Sequence, residues 1–364
     1  MKKVLFSLLI LALAVACGQD KFTVNGKVSE PLPVDAYILL TDLNGQEIAT
    51  APVNDGSFKI KGDASAETMY VIQASWPGKD QRDRSWSTMF IPEKGNINVT
   101  LGPTESTVEG GTVNEAYKDF QQKISDTYKE YRQKAQSLAG AAQEEAEALY
   151  EETMKKLSDL SKETIAKNAK NYVALIAIQN ISDEIDLEEL DGLLAKCGKF
   201  VSENESIKRI RSCKEAEVAT AEGQPFVDFA GTTPEGAAIK LSDYVGKGKW
   251  VLTDFWASWC GPCMREVPNI KKVFESFEGE DFMVLGVAVW ERGGDNTASA
   301  NKMKEMGMEW HQIFVGADKT PTDSYGIVGI PTMILFAPDG TIYKRGEVLR
   351  GESMYKTVAE ALGK

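Results

Sequence analysis

The stretch TDFWASWCGPCMRE, Thr253 to Glu266, carries two cysteines separated by Gly261 and Pro262, with a carboxylate on either side at Asp254 and Glu266. Such a pair suits a metal clip, a structural crosslink or reversible thiol–disulfide exchange. A zinc site needs four ligands, usually two such pairs or a pair with histidine. The chain has five cysteines and one histidine, His311, and the other cysteines stand at the wrong spacing. Haem attachment requires histidine after the second cysteine, and position 264 is Met. A purely structural crosslink fits poorly at the start of a helix that follows a buried strand. Redox chemistry is left, with no metal and no cofactor.

The positions suit that chemistry. WVLTDFWA reads as a buried strand and Cys260 to about Phe277 as a helix. A sulfur at the helix N-terminus meets the positive end of the macrodipole and unpaired N–H groups, which favour the nucleophilic thiolate. Cys260 is thus the attacking thiol. Cys263, inside the first turn, resolves the mixed disulfide. Pro262 has no N–H to lose in that turn and stiffens it. Asp254 lies within an apolar strand, where burial raises the pKa of an acid and suits it to proton transfer. Glu266 falls three residues after Cys263, on nearly the same helix face. Trp259, just before the nucleophile, is expected to line the docking surface. Trp256 is read as core packing and His311 as structural or exposed. Trp290–Gly294 ends a strand at the loop side where such folds put sites and is read as a mobile loop, with contact to substrate as the alternative.

DFWASWCGPC resembles the thioredoxin active site, with Asp254 at the family's buried acid. The longer run PFVDFAGTTPEGAAIKLSDYVGKGKWVLTDFWASWCGPCMREVP resembles membrane-associated thioredoxin-like reductases of the TlpA and ResA type, in which a Glu at the place of Glu266 also tunes the cysteines. GIVGIPTMILFAPDG adds a second match. The resemblance implies that Ile330 and a cis Pro331 face the dithiol, with the Ile330 backbone free to pair with a substrate strand. Gly261-Pro262 resembles the pair in thioredoxin, the reducing member of the superfamily. The resemblance covers about Gly223–Lys364. Residues 223–263 also resemble peroxiredoxins in their lead-in, but Trp256-Ala257-Ser258-Trp259 stands where those carry Pro and Thr ahead of a single peroxidatic cysteine.

The elements around this site divide the 364 residues into regions. A thioredoxin-type α/β domain is expected over 222–364, its mixed sheet covered on both faces and closed by a hairpin at Asp339-Gly340 and a final helix. Before it, 113–221 has helical periodicity: Tyr117, Phe120, Ile124, Tyr128 and Tyr131 share a stripe, Ala139-Gly140 is read as a break in the first helix, and YVALIAIQNI reads as a buried helix. Residues 17–112 read as a small antiparallel β-sandwich of six strands, with Asn25-Gly26, Asn44-Gly45 and Asp55-Gly56 as turn pairs. FTVNGKV and VNDGSFKIKG resemble a β-rich domain of unknown function found ahead of thioredoxin-like domains in bacterial lipoproteins. Cys197 and Cys213 flank a turn in the helical region. They are read either as a disulfide clamping two helices or as separate buried thiols.

The N-terminus has the layout of a secretory signal over 1–16: two lysines, an apolar run from Val4 to Val15, then Ala16 before Cys17. Ala14-Val15-Ala16-Cys17 resembles a bacterial lipobox, which implies lipidation of Cys17 and a stable membrane anchor. Loss of Lys2 and Lys3 takes the net charge from −13 to −15. With no block of Lys and Arg, nucleic acid is not an expected partner. The expected function is an extracytoplasmic, lipid-anchored protein-disulfide reductase on the periplasmic side of a bacterial membrane, inner or outer. The reading links it to roles such as cytochrome c maturation. Its expected partners are disulfide-bearing clients and a membrane electron donor, with docking or homodimerisation as the task of residues 22–220. A surface binding lipoprotein and a thiol peroxidase are the alternatives.

Overall fold

The computed structural model describes residues 20–78, 83–138, 143–294 and 296–364. The expected signal segment 1–16, the lipidation candidate Cys17 and the expected break at Ala139-Gly140 lie outside the described residues. Two compact units emerge, one comprising residues up to Ile185 with Asp191–Asn204, the other Asp186–Leu190 with Glu205–Lys364.

The first unit begins with eight strands: β1 (Lys21–Val28), β2 (Tyr37–Thr41), β3 (Glu47–Pro52), β4 (Ser57–Asp63), β5 (Tyr70–Pro77), β6 (Asp83–Phe90), β7 (Gly95–Leu101) and β8 (Thr107–Glu109). They form two four-stranded sheets, β4-β1-β7-β8 and β3-β2-β5-β6. Alternate residues of both, including Phe22, Val24, Ile38, Leu40, Ile72, Ile97 and Val99, share one core. The ladders are antiparallel except β1–β7, which is parallel. The long connection through the second sheet lets β7 return alongside β1 in the same direction. Asn25-Gly26 is not the expected turn but lies inside β1. A Cβ on Gly26 would stand 1.9 Å from the Phe58 ring, so the absent side chain makes room for that ring. Gly45 and Gly56 do take turn conformations, with φ of 82° and 73°.

Six helices follow: α1 (Thr112–Ser137), α2 (Gln143–Lys167), α3 (Tyr172–Ile181), α4 (Leu187–Leu194), α5 (Lys199–Ser202) and α6 (Glu205–Ala219). Gly111 offers no side chain to cap α1, and Glu93 supplies the acceptor, taking the N–H groups of Val113 and Asn114 at 2.9 and 2.7 Å. Helix α3 is buried, as its composition predicts. The stretch 113–221 is not one body, because α6 belongs to the second unit. Gly326 explains the attachment: a Cβ there would stand 2.6 Å from the carbonyl oxygen of Cys213 on α6.

The second unit continues with β9 (Ala230–Thr232), β10 (Ala238–Lys240), β11 (Trp250–Trp256), α7 (Gly261–Phe277), β12 (Phe282–Ala288), α8 (Thr297–Met306), β13 (His311–Phe314), α9 (Thr320–Ser324), β14 (Thr332–Phe336), β15 (Ile342–Arg345) and α10 (Gly351–Leu362). The sheet order is β10-β9-β13-β12-β11-β14-β15, with β11, β12 and β13 parallel and their outer neighbours antiparallel. The central strands are apolar on both faces, as strands covered on both sides must be. Leu252 and Trp256 pack in one core with residues of α7 and α10, while Val251 and Phe255 pack in another with Tyr325 and Ile342. Among the described residues no helix is long and apolar enough to cross a membrane.

The register sets Asp254 of β11 between Gly286 of β12 and Met333 of β14, with Gln312 of β13 beyond Gly286. Gln312 leans across the space above Gly286, where a Cβ would meet its Oε1 at 2.1 Å, and that oxygen accepts the Trp256 indole N–H at 3.0 Å. Gly286→Ala is therefore expected to destabilise the protein by about 1–3 kcal/mol, read by urea denaturation. A neutral result would show that Gln312 moves aside freely.

Candidate active site

Strand β11 ends at Trp256, and the turn Ala257–Cys260 delivers Cys260 as the N-cap of α7. Its sulfur accepts the Cys263 N–H at 3.1 Å, so one of the helix's unpaired donors points at sulfur. The two cysteines are joined in a disulfide. Cys260 is 4% exposed and Cys263 1%, while Gly261 and Pro262 are open to solvent. The Cys260 sulfur thus sits just under the surface, with Cys263 behind it.

The Ile330–Pro331 peptide is cis, and the Ile330 carbonyl oxygen lies 3.7 Å from the Cys260 sulfur. Val328, two residues earlier, is 62% exposed.

Asp254 shares a face of β11 with Leu252 and Trp256, both of which pack in the core containing the two cysteines. It is buried, and its Oδ1 has no hydrogen-bond partner. Burial, then the charge of Glu266, raise its pKa to about 7, against a lowering by Arg350. A carboxyl group poised near neutrality beneath a dithiol can take a proton and return it. Glu266 itself is half-buried. Its Oε2 accepts the Gly351 N–H of α10 at 3.0 Å and the Asn269 amide at 2.9 Å. Arg350, adjacent to Gly351, donates to the carbonyl oxygen of Pro331 and pairs with Glu347 at 2.7 Å. The start of α10 therefore holds both the cis-proline loop and the second carboxylate.

The residues expected at the site, Asp254, Trp259, Cys260, Gly261, Pro262, Cys263, Glu266, Ile330 and Pro331, all lie in the second unit. Trp259 is 43% exposed and donates its indole N–H to the Trp290 carbonyl at 3.0 Å. Trp256 is core, and exposed His311 lies against Tyr244. Cys197 and Cys213 are free thiols, which corrects the disulfide reading. They fall in different units, and burial pushes both thiols up, away from reactivity.

Two residues of the site were not singled out from the sequence. One is Gln312, described above. The other is Glu291, 4% exposed, which accepts the Ser258 N–H at 2.6 Å, the Ser258 hydroxyl at 2.8 Å and the Ser299 hydroxyl at 2.7 Å. With Val289 N–H on the Trp256 carbonyl at 2.8 Å, it splints the turn that carries Cys260. Trp290, between them, has φ of 56°, a left-handed conformation rare for so bulky a residue. Only the strand-end position of WERGG in the sequence pointed this way.

Residues 223–345 match the AhpC/TSA family. Residues 22–117 match a domain of unknown function, DUF4369. The chain is 31% identical over 124 residues to thiol-disulfide oxidoreductase ResA of Bacillus subtilis, covering 34% of this chain and 66% of that protein. It is 29% identical over 128 residues to ResA of Geobacillus thermodenitrificans, covering 35% and 70%. The chain thus spans about two thirds of the length of these curated relatives. Among solved structures, the thioredoxin domain of a thiol-disulfide oxidoreductase from Bacteroides vulgatus is 31% identical, with a TM-score of 0.35, covering 38% of this chain and 96% of that one. A thiol:disulfide interchange protein from Bacteroides sp. is 30% identical, with a TM-score of 0.36 and coverage of 40% and 93%.

The thioredoxin-like domain generates two predictions. Asp254 has a folded pKa of about 7, above the ordinary carboxylate value of about 4 in the unfolded chain. Between those values the folded state binds the extra proton, so stability from this group is full below pH 4 and lost as pH rises to 7. Asp254→Asn should therefore stabilise the oxidised protein above pH 7 by up to roughly 3–4 kcal/mol, with the gain vanishing near pH 4, in urea denaturation across pH. The same substitution should slow disulfide exchange about 10²-fold or more and flatten its rise through pH 7. Glu291→Ala strands the donors of Ser258 and Ser299 and should cost about 2–3 kcal/mol, with partial recovery in Glu291→Gln.

Proposed function

We propose that the protein is an extracytoplasmic, membrane-anchored thiol–disulfide oxidoreductase that reduces disulfides of client proteins. The observation that carries this reading is the Cys260–Cys263 disulfide at the N-terminus of α7, facing the cis Ile330–Pro331 peptide and backed by the buried Asp254. The ResA relatives and the AhpC/TSA match support the oxidoreductase class. The Gly-Pro spacer, which resembles that of thioredoxin, supports the reductive direction.

In the reduced protein the Cys260 thiolate attacks one sulfur of a client disulfide. A Cys260–client bond forms, the client S–S bond breaks, and the first client thiolate leaves. Cys263 then gives its proton to Asp254 and attacks the Cys260 sulfur. The mixed disulfide breaks, the second client thiolate leaves and takes up a proton, and the Cys260–Cys263 bond closes. The client gains two electrons and the dithiol loses two. A dithiol donor in the membrane must return them, and lipidation of Cys17 would keep the protein within its reach. The DUF4369 match over residues 22–117 marks the segment to which we assign client docking or self-association.

Cys263→Ser should stall the exchange at the mixed disulfide, so that clients remain bonded to Cys260 and are released by added reductant. Redox titration is expected to give a potential near the −270 mV of thioredoxin. A value near the −120 mV of strong oxidants would overturn the reductive direction, and rapid peroxide consumption without a disulfide client would favour the peroxidase alternative.

A further inference from the structure

The carboxylates around the dithiol are turned inward and engaged. Glu291 spends both oxygens on Ser258 and Ser299, Glu266 binds Asn269 and the Gly351 N–H, and Asp254 is buried. Arg350 is likewise turned to the Pro331 carbonyl and Glu347. Two other guanidinium groups face the opposite way. Arg265 places its Nη1 3.9 Å from where a Cβ on Gly261 would stand, over the exposed turn between the cysteines. Arg292 lies over the Trp259 ring, 5.0 Å from its centre. Both are exposed, and among the described residues neither pairs with a carboxylate.

Arg292 is held rather than free. The residue before it is the buried Glu291, Gly293 and Gly294 follow with φ of 85° and 76°, and Trp259 is itself bonded to the Trp290 carbonyl. A cation fixed on an aromatic face loses little freedom when it meets an anion. Trp259 is itself exposed beneath it, and Val328, two residues before the carbonyl that lies 3.7 Å from the Cys260 sulfur, is exposed as well. On a chain of net charge −13, these two guanidinium groups supply positive charge beside the turn that carries the dithiol. Salt screens the distant acids beyond about 8–10 Å, so at contact the near guanidinium groups decide.

We propose that Trp259, Val328, Arg265 and Arg292 form a docking surface for client segments that carry an acidic side chain beside the disulfide to be reduced. The inference rests on the reductase reading and specifies its substrate class. The apolar pair accepts the body of the segment, and the two arginines select its charge. The electron transfer itself is unchanged.

The test uses the reduced full-length protein and two peptide disulfides that differ only in Glu or Lys on both sides of one cysteine. A small neutral disulfide, bis(2-hydroxyethyl) disulfide, reads the dithiol alone. The Glu peptide should show kcat/KM about three- to tenfold above the Lys peptide at low salt, with the ratio falling toward one at high salt. The pair Arg265→Gln and Arg292→Gln should bring the ratio to about one, and the pair Arg265→Glu and Arg292→Glu should invert it. Each ratio is taken within one variant, so a general loss of activity cancels. A wild-type ratio of one, or a preference that persists in both double variants, overturns the surface while leaving the reductase reading intact. Failure to reduce the neutral disulfide overturns the reductase reading, and the surface with it.

Discussion

A sulfur atom takes the place usually filled by a side-chain oxygen at the start of α7. Cys260 is the N-cap of that helix, and its sulfur accepts the Cys263 N–H. The capping contact is strongest when the sulfur is negative, so the geometry that starts the helix also favours the reactive form of the nucleophile. Everything nearby serves to keep that atom in place. Strand β11 sets the height of the turn, Glu291 ties Ser258 down, and the cis-proline loop closes over the sulfur from the other side.

Two acids then act at different depths. Asp254 has no hydrogen-bond partner on one oxygen and lies in an apolar sheet, so its proton is held near neutrality. Glu266 is anchored at the helix surface and makes Asp254 harder to ionise, while Arg350 works against it. The balance belongs to three side chains from β11, α7 and the approach to α10. The same approach segment also grips the Pro331 carbonyl, so the electrostatics and the shape of the cis-proline edge share one support.

Much of this was legible in the sequence because the decisive signals are local. The C-G-P-C spacing and an Asp inside an apolar strand name their structural context without reference to distant residues, and the cis Ile330–Pro331 peptide was implied by the family resemblance of GIVGIPTMILFAPDG. The thioredoxin-like sheet followed from continuous apolar runs, and β11, α7 and α10 lie where periodicity put them. What was not legible depends on contacts between distant segments. Asn25-Gly26 carries a turn signature, yet the Phe58 ring makes Gly26 a strand residue. Glu291 reads as a loop acid until Ser258 and Ser299 are found against it. Cys197 and Cys213 stand at a plausible spacing, but the chain assigns them to separate bodies. The parallel β1–β7 ladder similarly arises from a crossover that no local pattern encodes.

The attachment of Gly351 and Arg350 to the site has a consequence for the order in which the protein matures. Asp254, Cys260 and Cys263 precede Arg350 in the chain, so a partly synthesised chain carries the two cysteines without the groups that hold Glu266 and the Pro331 carbonyl. In that interval the two thiols lack the supports that the folded site gives them. The supports of the pair are complete only once the Arg350–Gly351 segment has docked.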